Sequence, residues 1–455
     1  MPFRWDLREH LALGAYAAKW LALTLAMSTA IGSVVAWFLL ALDWATATRV
    51  ASPWLLYLLP VSGAVVGALY HFFGKDAEGG SNLIVEEIHE PGAGVPGQMA
   101  PLVFFGTVAT HLCGGSAGRE GTAVQMGGSL AGVFAKKLRL RPEDRRTALM
   151  AGVAGGFGAV FGTPLAGAVF AMEVLAIGSM SYDAILPCLT AGLFSDWICR
   201  AWGVHHTDYH IAGLAPSQFD APLALKVAVA AVGFGLASAL YAELAHGLHR
   251  LFHRVRTPML RPILGGGLVI ALVYLVGTRD FLGLGVTSSN PDAVTILSSF
   301  REGGAHAWSW FWKMIFTSVT LGSGFKGGEV TPIFYIGAAL GNAFSRLLSA
   351  PAGFFAALGF VGVFAGATNT PLACTIMGVE LFGSELVVPL AVACFVSYLF
   401  SGHSGIYLSQ RIGISKTGTA APESSLRSAR DKRAPIRLPS LRRKNSSQEP
   451  KEDAS

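Results

Sequence analysis

Thr163-Pro-Leu-Ala…Glu173 and Thr370-Pro-Leu-Ala…Glu380 are the same interrupted apolar segment met twice, 207 residues apart, with five identities over the 13 positions 163–175 and 370–382. In each copy a Thr-Pro step breaks a long apolar run. Proline lacks an N–H and steers the preceding residue away from the helical region, so a helix must stop and restart there. The same offset carries Ser116 onto Ser323, Arg119 onto Lys326 and Gly121 onto Gly328. An insertion of three residues then shifts it to 210, which aligns Gly127 with Gly337 and Leu130 with Leu340. Two halves of about 200 residues therefore share one plan.

The composition says where such a plan can exist. Of 455 residues, 52% are hydrophobic and 14% charged, against roughly 25% charged in a soluble domain. A polytopic, all-α membrane protein is expected. Its apolar runs do not respect the roughly 20 residues of a simple span; some are shorter, and others hold more than one segment. Broken helices at membrane depth are tolerated only where their free backbone groups are buried in protein or line a watery cavity.

The loops after the matched glycine-rich helices orient the halves. Lys136-Lys-Leu-Arg-Leu-Arg-Pro-Glu-Asp-Arg-Arg146 carries six basic residues and Ser345-Arg-Leu-Leu-Ser-Ala-Pro351 carries one. Basic loops stay cytoplasmic, so equivalent points face opposite sides of the membrane. This predicts an inverted repeat whose broken helices meet near the midplane and build an ion site there. The expected organisation is a first repeat over 1–210, a second over 211–410, and a basic, disordered cytoplasmic tail over 411–455. That tail carries 11 basic and 5 acidic residues, the whole of the chain's net charge of +6. The body is neutral, and no nucleic-acid partner is expected. The N-terminal stretch mixes charges of both signs without a small-residue cleavage site, so no removable signal peptide is expected.

Two turns carry candidate chemistry. Gly114-Gly-Ser-Ala-Gly-Arg-Glu-Gly-Thr122 opens into a helix containing Gln125 and Gly127. Free N–H groups and the positive helix end attract an anion there, and the Glu120 carboxylate can occupy the same place until it is protonated. The competing reading has Glu120 and Arg119 pairing with each other or capping the helix. The matched turn Gly322-Ser-Gly-Phe-Lys-Gly-Gly-Glu-Val-Thr-Pro332 aims a second half-helix at the same centre, with Thr331 as a hydroxyl donor and Glu329 as a second acid. Here the competing readings are helix capping by Thr331 and a salt bridge from Glu329 to Lys326.

Other patterns point to no chemistry. Gly322-x-Gly-x-x-Gly327 and Gly92-x-Gly-x-x-Gly97 follow no strand, so a dinucleotide site is not expected. His205-His-Thr-Asp-Tyr-His210 reads as an incidental loop rather than a metal site, and Cys113, Cys188, Cys199, Cys374 and Cys394 read as buried reduced thiols. Gly63/Gly67, Gly337/Gly341 and Gly362/Gly366 read as close helix packing. No nucleophile and base stand at a recognised spacing, so an intramembrane enzyme is not expected. Neither a metal nor a cofactor is implied.

Gly118-Arg-Glu-Gly121, Gly327-Gly-x-x-x-Pro332, the inverted repeat and Ser401-Gly-His-Ser-Gly-Ile-Tyr407 together resemble the CLC family of anion channels and proton-coupled exchangers, over roughly residues 15–415. The resemblance implies two inverted halves per subunit, a homodimer in the cell (inner) membrane, and one anion path per subunit. Gly80-Ser-Asn-Leu-Ile84 departs from the Gly-Ser-Gly-Ile-Pro of chloride members, Thr122 replaces a proline, and Glu329-Val330-Thr331 replaces an apolar pair. These variants resemble the fluoride-exporting branch. The branch implies Glu120 as the gating and proton-carrying glutamate, Asn82 or Ser81 at the first pore turn, Glu329 and Thr331 at the later turn, and Tyr407 as the pore tyrosine. With the motif turns included, the implied anion-binding set is Ser81, Asn82, Gly118, Arg119, Gly121, Glu329, Val330, Thr331 and Tyr407. The implied activity is proton-coupled fluoride export; a chloride-selective exchanger or a passive anion channel on the same scaffold is the alternative. Where chloride exchangers carry two consecutive acids, this chain has Glu173-Val174, which leaves no inner proton route of their kind.

Overall fold

The computed structural model describes residues 7–209, 219–288, 290–418 and 424–431. In the first half α1 (Leu7–Ala51), α2 (Leu59–Phe73), α3 (Gly80–His89), α4 (Met99–Leu112), α5 (Glu120–Lys137), α6 (Pro142–Phe161), α7 (Pro164–Glu173) and α8 (Ile185–Ala201) follow one another. The second half repeats them as α9 (Ala221–His253), α10 (Leu260–Val276), α11 (Ser309–Gly322), α12 (Val330–Leu347), α13 (Ala352–Thr368), α14 (Pro371–Phe382) and α15 (Val387–Phe400), and α16 (Leu426–Asp431) comes last. Among the described residues one strand pair is present, β1 (Ala176–Ile177) with β2 (Arg411–Ile412), parallel and two residues long. Among them α3 has no helical counterpart; residues 278–288 and 290–297 form a loop at the equivalent place.

Local sequence explains the repeated breaks. α6 ends on Gly162 and α13 on Asn369, both left-handed, at φ 72° and 58°, and Thr163-Pro164 and Thr370-Pro371 then start α7 and α14 with proline in the first turn. Three helical stretches, Leu7–Ala51, Pro53–Phe73 and Ala221–His253, are long and apolar enough to cross a membrane. Shorter apolar helices such as α7 and α14 reach only partway and end inside the protein.

Those inner ends satisfy one another. The Glu173 carboxylate, closing α7, accepts the N–H groups of Leu372 and Ala373 at the start of α14, at 3.1 and 2.8 Å. Glu380, closing α14, accepts those of Leu165 and Ala166 at the start of α7, at 3.0 and 2.8 Å. Equivalent helices that cap each other's N-termini with their own C-terminal residues must run antiparallel, so the two halves are inverted. Phe157 and Phe364, equivalent at the 207 offset, stack at 6.5 Å between the halves. Close helix contact follows from glycine: a Cβ on Gly127 would strike the Gly152 carbonyl, and one on Gly337 the Gly359 carbonyl, so α5 on α6 and α12 on α13 approach at backbone distance.

The boundary expected at residue 410 is corrected by the structure. Residues 411–418 and 424–431 are part of the packed body, because polar groups at the ends of α13 and α15 need partners that this segment supplies. The Lys416 Nζ donates to Tyr398 O at 2.5 Å, Asn369 Oδ1 at 2.6 Å, Gly402 O at 2.7 Å and Ser401 Oγ at 3.1 Å, a cation at the negative end of two helices. Leu426 is buried beside Ile177 and Ile412. The rest of the expected tail, 419–423 and 432–455, lies outside the described residues.

Sidedness is set by α1. Near its start Lys19 meets Asp144 of the basic loop at 2.6 Å. Arg49 lies 30 residues further along the same helix, roughly 45 Å away at 1.5 Å per residue. Arg49 therefore marks the face opposite the basic, cytoplasmic loop.

Two substitutions test this scaffold. Glu380→Ala strands two half-helix amides and should lower unfolding stability in detergent by about 1–2 kcal/mol, with Glu380→Gln recovering part of it. Lys416→Ala should cost a comparable amount, about 1–3 kcal/mol, by uncapping α13 and α15; an unchanged thermal midpoint in either variant would contradict the capping roles.

Candidate functional site

The turns before α5 and α12 are joined to each other by backbone. Gly118 N–H donates to Gly328 O at 2.6 Å and Gly328 N–H to Gly118 O at 2.7 Å, an antiparallel bridge between the halves. Glycine is required because a Cβ at Gly118 would lie 2.8 Å from Pro332 and 3.0 Å from the Gly328 carbonyl. The bridge brings the N-termini of α5 and α12 face to face. Gly118, expected as part of the anion-binding set, gives its N–H to Gly328 O.

Between the two helix ends sits Glu120, 1% exposed. Its Oε2 accepts the Thr331 N–H at 3.0 Å, the Thr331 hydroxyl at 2.5 Å and the Arg119 N–H at 3.2 Å. Its Oε1 lies 3.4 Å from Arg119 Nε. Every partner is a donor, so the group is held as a carboxylate acceptor in charge-assisted bonds. Glu120 thus pairs with Arg119 and also accepts the Thr331 N–H at the N-terminus of the opposite half-helix. Thr331, buried at 2% exposure, gives its hydroxyl to this carboxylate rather than capping its own helix.

Glu120 is also a partition. Arg119 lines a cavity of about 690 Å³ that includes Asp43, Arg49, Arg279 and Asp280. Gly121 lines a second, of about 200 Å³, with Ser81, Asn82, Gln125, Lys326, Glu329, Val330 and Tyr407. By the sidedness of α1 the first cavity is external and the second cytoplasmic. Arg119, grouped by its motif with the anion ligands, stands on the external side of the gate, tied to Glu120.

The inner cavity keeps several donors unspent. Asn82 Oδ1 accepts the Ser409 N–H at 3.0 Å. An N–H needs an acceptor, so the amide oxygen points to Ser409, and the amide nitrogen is left for the cavity. Ser81 Oγ accepts from Gln125 Nε2 at 3.4 Å, which frees its own hydroxyl proton. The choice between Ser81 and Asn82 dissolves, since both reach the cavity from the first turn of α3. Tyr407, 7% exposed, packs edge-on against Phe170 at 6.4 Å, and its hydroxyl bonds no described residue. Val330 contributes the wall at the first residue of α12.

Glu329 lines the same cavity without a salt bridge or hydrogen bond to a described residue. The pairing with Lys326 is absent because Lys326 turns its Nζ onto the Tyr70 ring, 3.8 Å from the centroid.

Other expectations resolve into structure. Thr122 bonds Thr107 at 2.8 Å and faces away from the gate. His206 stands 3.3 Å from Asp196, itself 2.9 Å from Arg200, while His210 lies outside the described residues. All five cysteines are buried. Sequence reasoning missed Gln125, Lys326 and His249 as cavity-lining groups. Gln125 had a signal, lying little more than one helical turn beyond Glu120. His249 had none, since α9 reaches the cavity only through tertiary packing.

With this geometry in place, comparison with known proteins is informative. A family model described as voltage gated chloride channel matches residues 62–402. A chloride/fluoride channel protein of Pseudomonas syringae pv. tomato is 50% identical over 422 residues, covering 91% of both chains. An H(+)/Cl(−) exchange transporter of Vibrio cholerae is 27% identical over 326 residues, 67% of this chain and 66% of its own. A solved CLC-type fluoride/proton antiporter superposes with a TM-score of 0.81 at 32% identity, covering 90% of this chain and 99% of its own. A cyanobacterial Cl−/H+ antiporter shares the fold, with a TM-score of 0.70 at 18% identity over 84% of this chain and 94% of its own. Inverted halves, facing half-helices and these matches agree: the chain is a helical membrane protein and belongs to the CLC, or voltage gated chloride channel, family.

Proposed function

We propose that this chain exports cytoplasmic fluoride in exchange for protons, as a homodimer in the inner membrane, with Glu120 as both gate and proton carrier. The observation that carries the reading is the pair of Thr331 bonds to Glu120 Oε2, at 3.0 and 2.5 Å, on the partition between the two cavities. Those donors hold the charged carboxylate more strongly than the neutral acid. Protonation removes the charge that holds it there, the side chain leaves, and Thr331 N–H and Oγ–H turn to an arriving anion. Return of the carboxylate then expels the anion and releases the proton.

Fluoride is favoured by the chemistry of the donors. It is smaller and more strongly hydrated than chloride, so stripping its water demands short, strong replacement bonds. Two donors converging on one oxygen at 2.5 and 3.0 Å are spaced for a small, hard acceptor. The Asn82 amide, the Tyr407 phenol and the Ser81 hydroxyl supply further donors at the inner mouth. Glu329, unpaired beside them, offers a second place for a proton on its way through. Relatives described as a chloride/fluoride channel protein and as a fluoride/proton antiporter point the same way.

Proteoliposomes provide the test. An outward fluoride gradient should drive protons inward, and an equal chloride gradient should do so poorly. Equal transport of both anions would overturn the fluoride selectivity, and faster chloride than fluoride exchange would support the chloride-selective exchanger of the alternative; anion flux without proton movement would support a passive channel. Glu120→Gln should abolish proton movement, and intact coupling in that variant would remove Glu120 from the mechanism. Thr331→Val deletes the hydroxyl donor and should lower fluoride turnover by about tenfold to a hundredfold, with a smaller effect on chloride.

A further inference from the structure

The external cavity contains a guanidinium that no described residue pairs with. Three guanidiniums, Arg49, Arg119 and Arg279, line its 690 Å³ together with two carboxylates, Asp43 and Asp280. Most of these groups are committed. Arg119 is tied to Glu120 at 3.4 Å, Arg279 Nη1 donates to Pro53 O at 3.1 Å, and Asp280 Oδ2 accepts the Val294 N–H at 3.0 Å. Arg49 has no ion pair and no hydrogen bond among the described residues, and its Nε is shielded from solvent without an acceptor.

Its surroundings make this worse. Lys313, fully buried, lies behind the same wall with its Nζ donating to Phe281 O at 3.1 Å and Gly283 O at 2.7 Å. The chain thus brings a buried lysine, with no carboxylate partner among the described residues, close to the half-buried Arg49, both beside Gly283. A buried charge without a partner costs several kcal/mol, and a scaffold retains such a group where something else supplies the opposite charge. We propose that Arg49, with Arg279 across the cavity, forms an outer binding site for a small oxyanion of the phosphate or sulfate class. Guanidinium donors form a planar fork that matches two oxygens of an oxyanion, and the cavity is far larger than a lone halide needs. The site is separate from the place held by Glu120, since Arg119 stands between them. It is also independent of which halide the pore carries.

Calorimetric titration of the purified full-length protein with inorganic phosphate tests the assignment. One saturable site per chain is expected, about tenfold weaker in Arg49→Gln and in Arg279→Gln, and closer to wild type in Arg49→Lys, which keeps the charge and controls for misfolding. Glu120→Gln should leave phosphate binding intact, which separates this site from the pore whatever the transport assay shows. Absence of saturable binding in the wild type would overturn the proposal. So would binding that survives both glutamine variants, or binding lost in Glu120→Gln and retained in Arg49→Gln.

Discussion

Two backbone hydrogen bonds between Gly118 and Gly328 hold the functional centre together. Each half of the chain ends a helix in mid-membrane and leaves amides there that neither lipid nor water can satisfy. The bridge takes one amide from each turn and sets the remaining ones, at the starts of α5 and α12, toward a common point. Whatever sits at that point must be an acceptor, and Glu120 meets the requirement from inside the protein. The position of Glu120 is therefore a consequence of the fold: donors that meet at one point are answered by a carboxylate from inside the protein.

The same chemistry appears elsewhere in the molecule with a different outcome. Glu173 and Glu380 are also carboxylates at half-helix N-termini, but each places one oxygen on each of two amides, at 2.8–3.1 Å. They are structural fasteners. Glu120 differs in gathering its donors on one oxygen and in having a cavity on either side.

The departure from perfect two-fold repetition is equally functional. At the 207 offset, α3 falls on the loop of residues 278–288 and 290–297, and each lines one cavity: α3 the inner, the loop the outer. Asn82, Ser81 and the Ser409–Asn82 bond give the inner mouth neutral donors, whereas Arg279 and the neighbouring Arg49 make the outer mouth cationic. An anion leaving the gate thus meets different chemistry on the two sides. The segment beyond Tyr407 adds to this asymmetry, since Ser409, Gln410 and Lys416 anchor it to α3, α13 and α15.

Much of this was legible in the linear chain. The Thr-Pro repeat, the spacing of Glu120 and Thr331 and the one-sided basic loop determined that the protein is helical, membrane-embedded, two-fold and inverted, because proline breaks, glycine turns and loop charge act through local chemistry. The tertiary structure alone decided which groups are spent and which are free. Gly118 and Thr122 lie in the motif but bond within the protein; Arg119 pairs with Glu120; Arg49 and His249 reach the cavities from helices distant in sequence, and Lys326 from the turn before α12. Residues 411–418 and 424–431 read as tail and pack with the body, since polar composition shows that a segment can be solvated but not that helix ends elsewhere need its lysine. The physical reason is the same throughout: hydrogen-bond donors are committed by neighbours in space, and those neighbours are set by how the two halves pack.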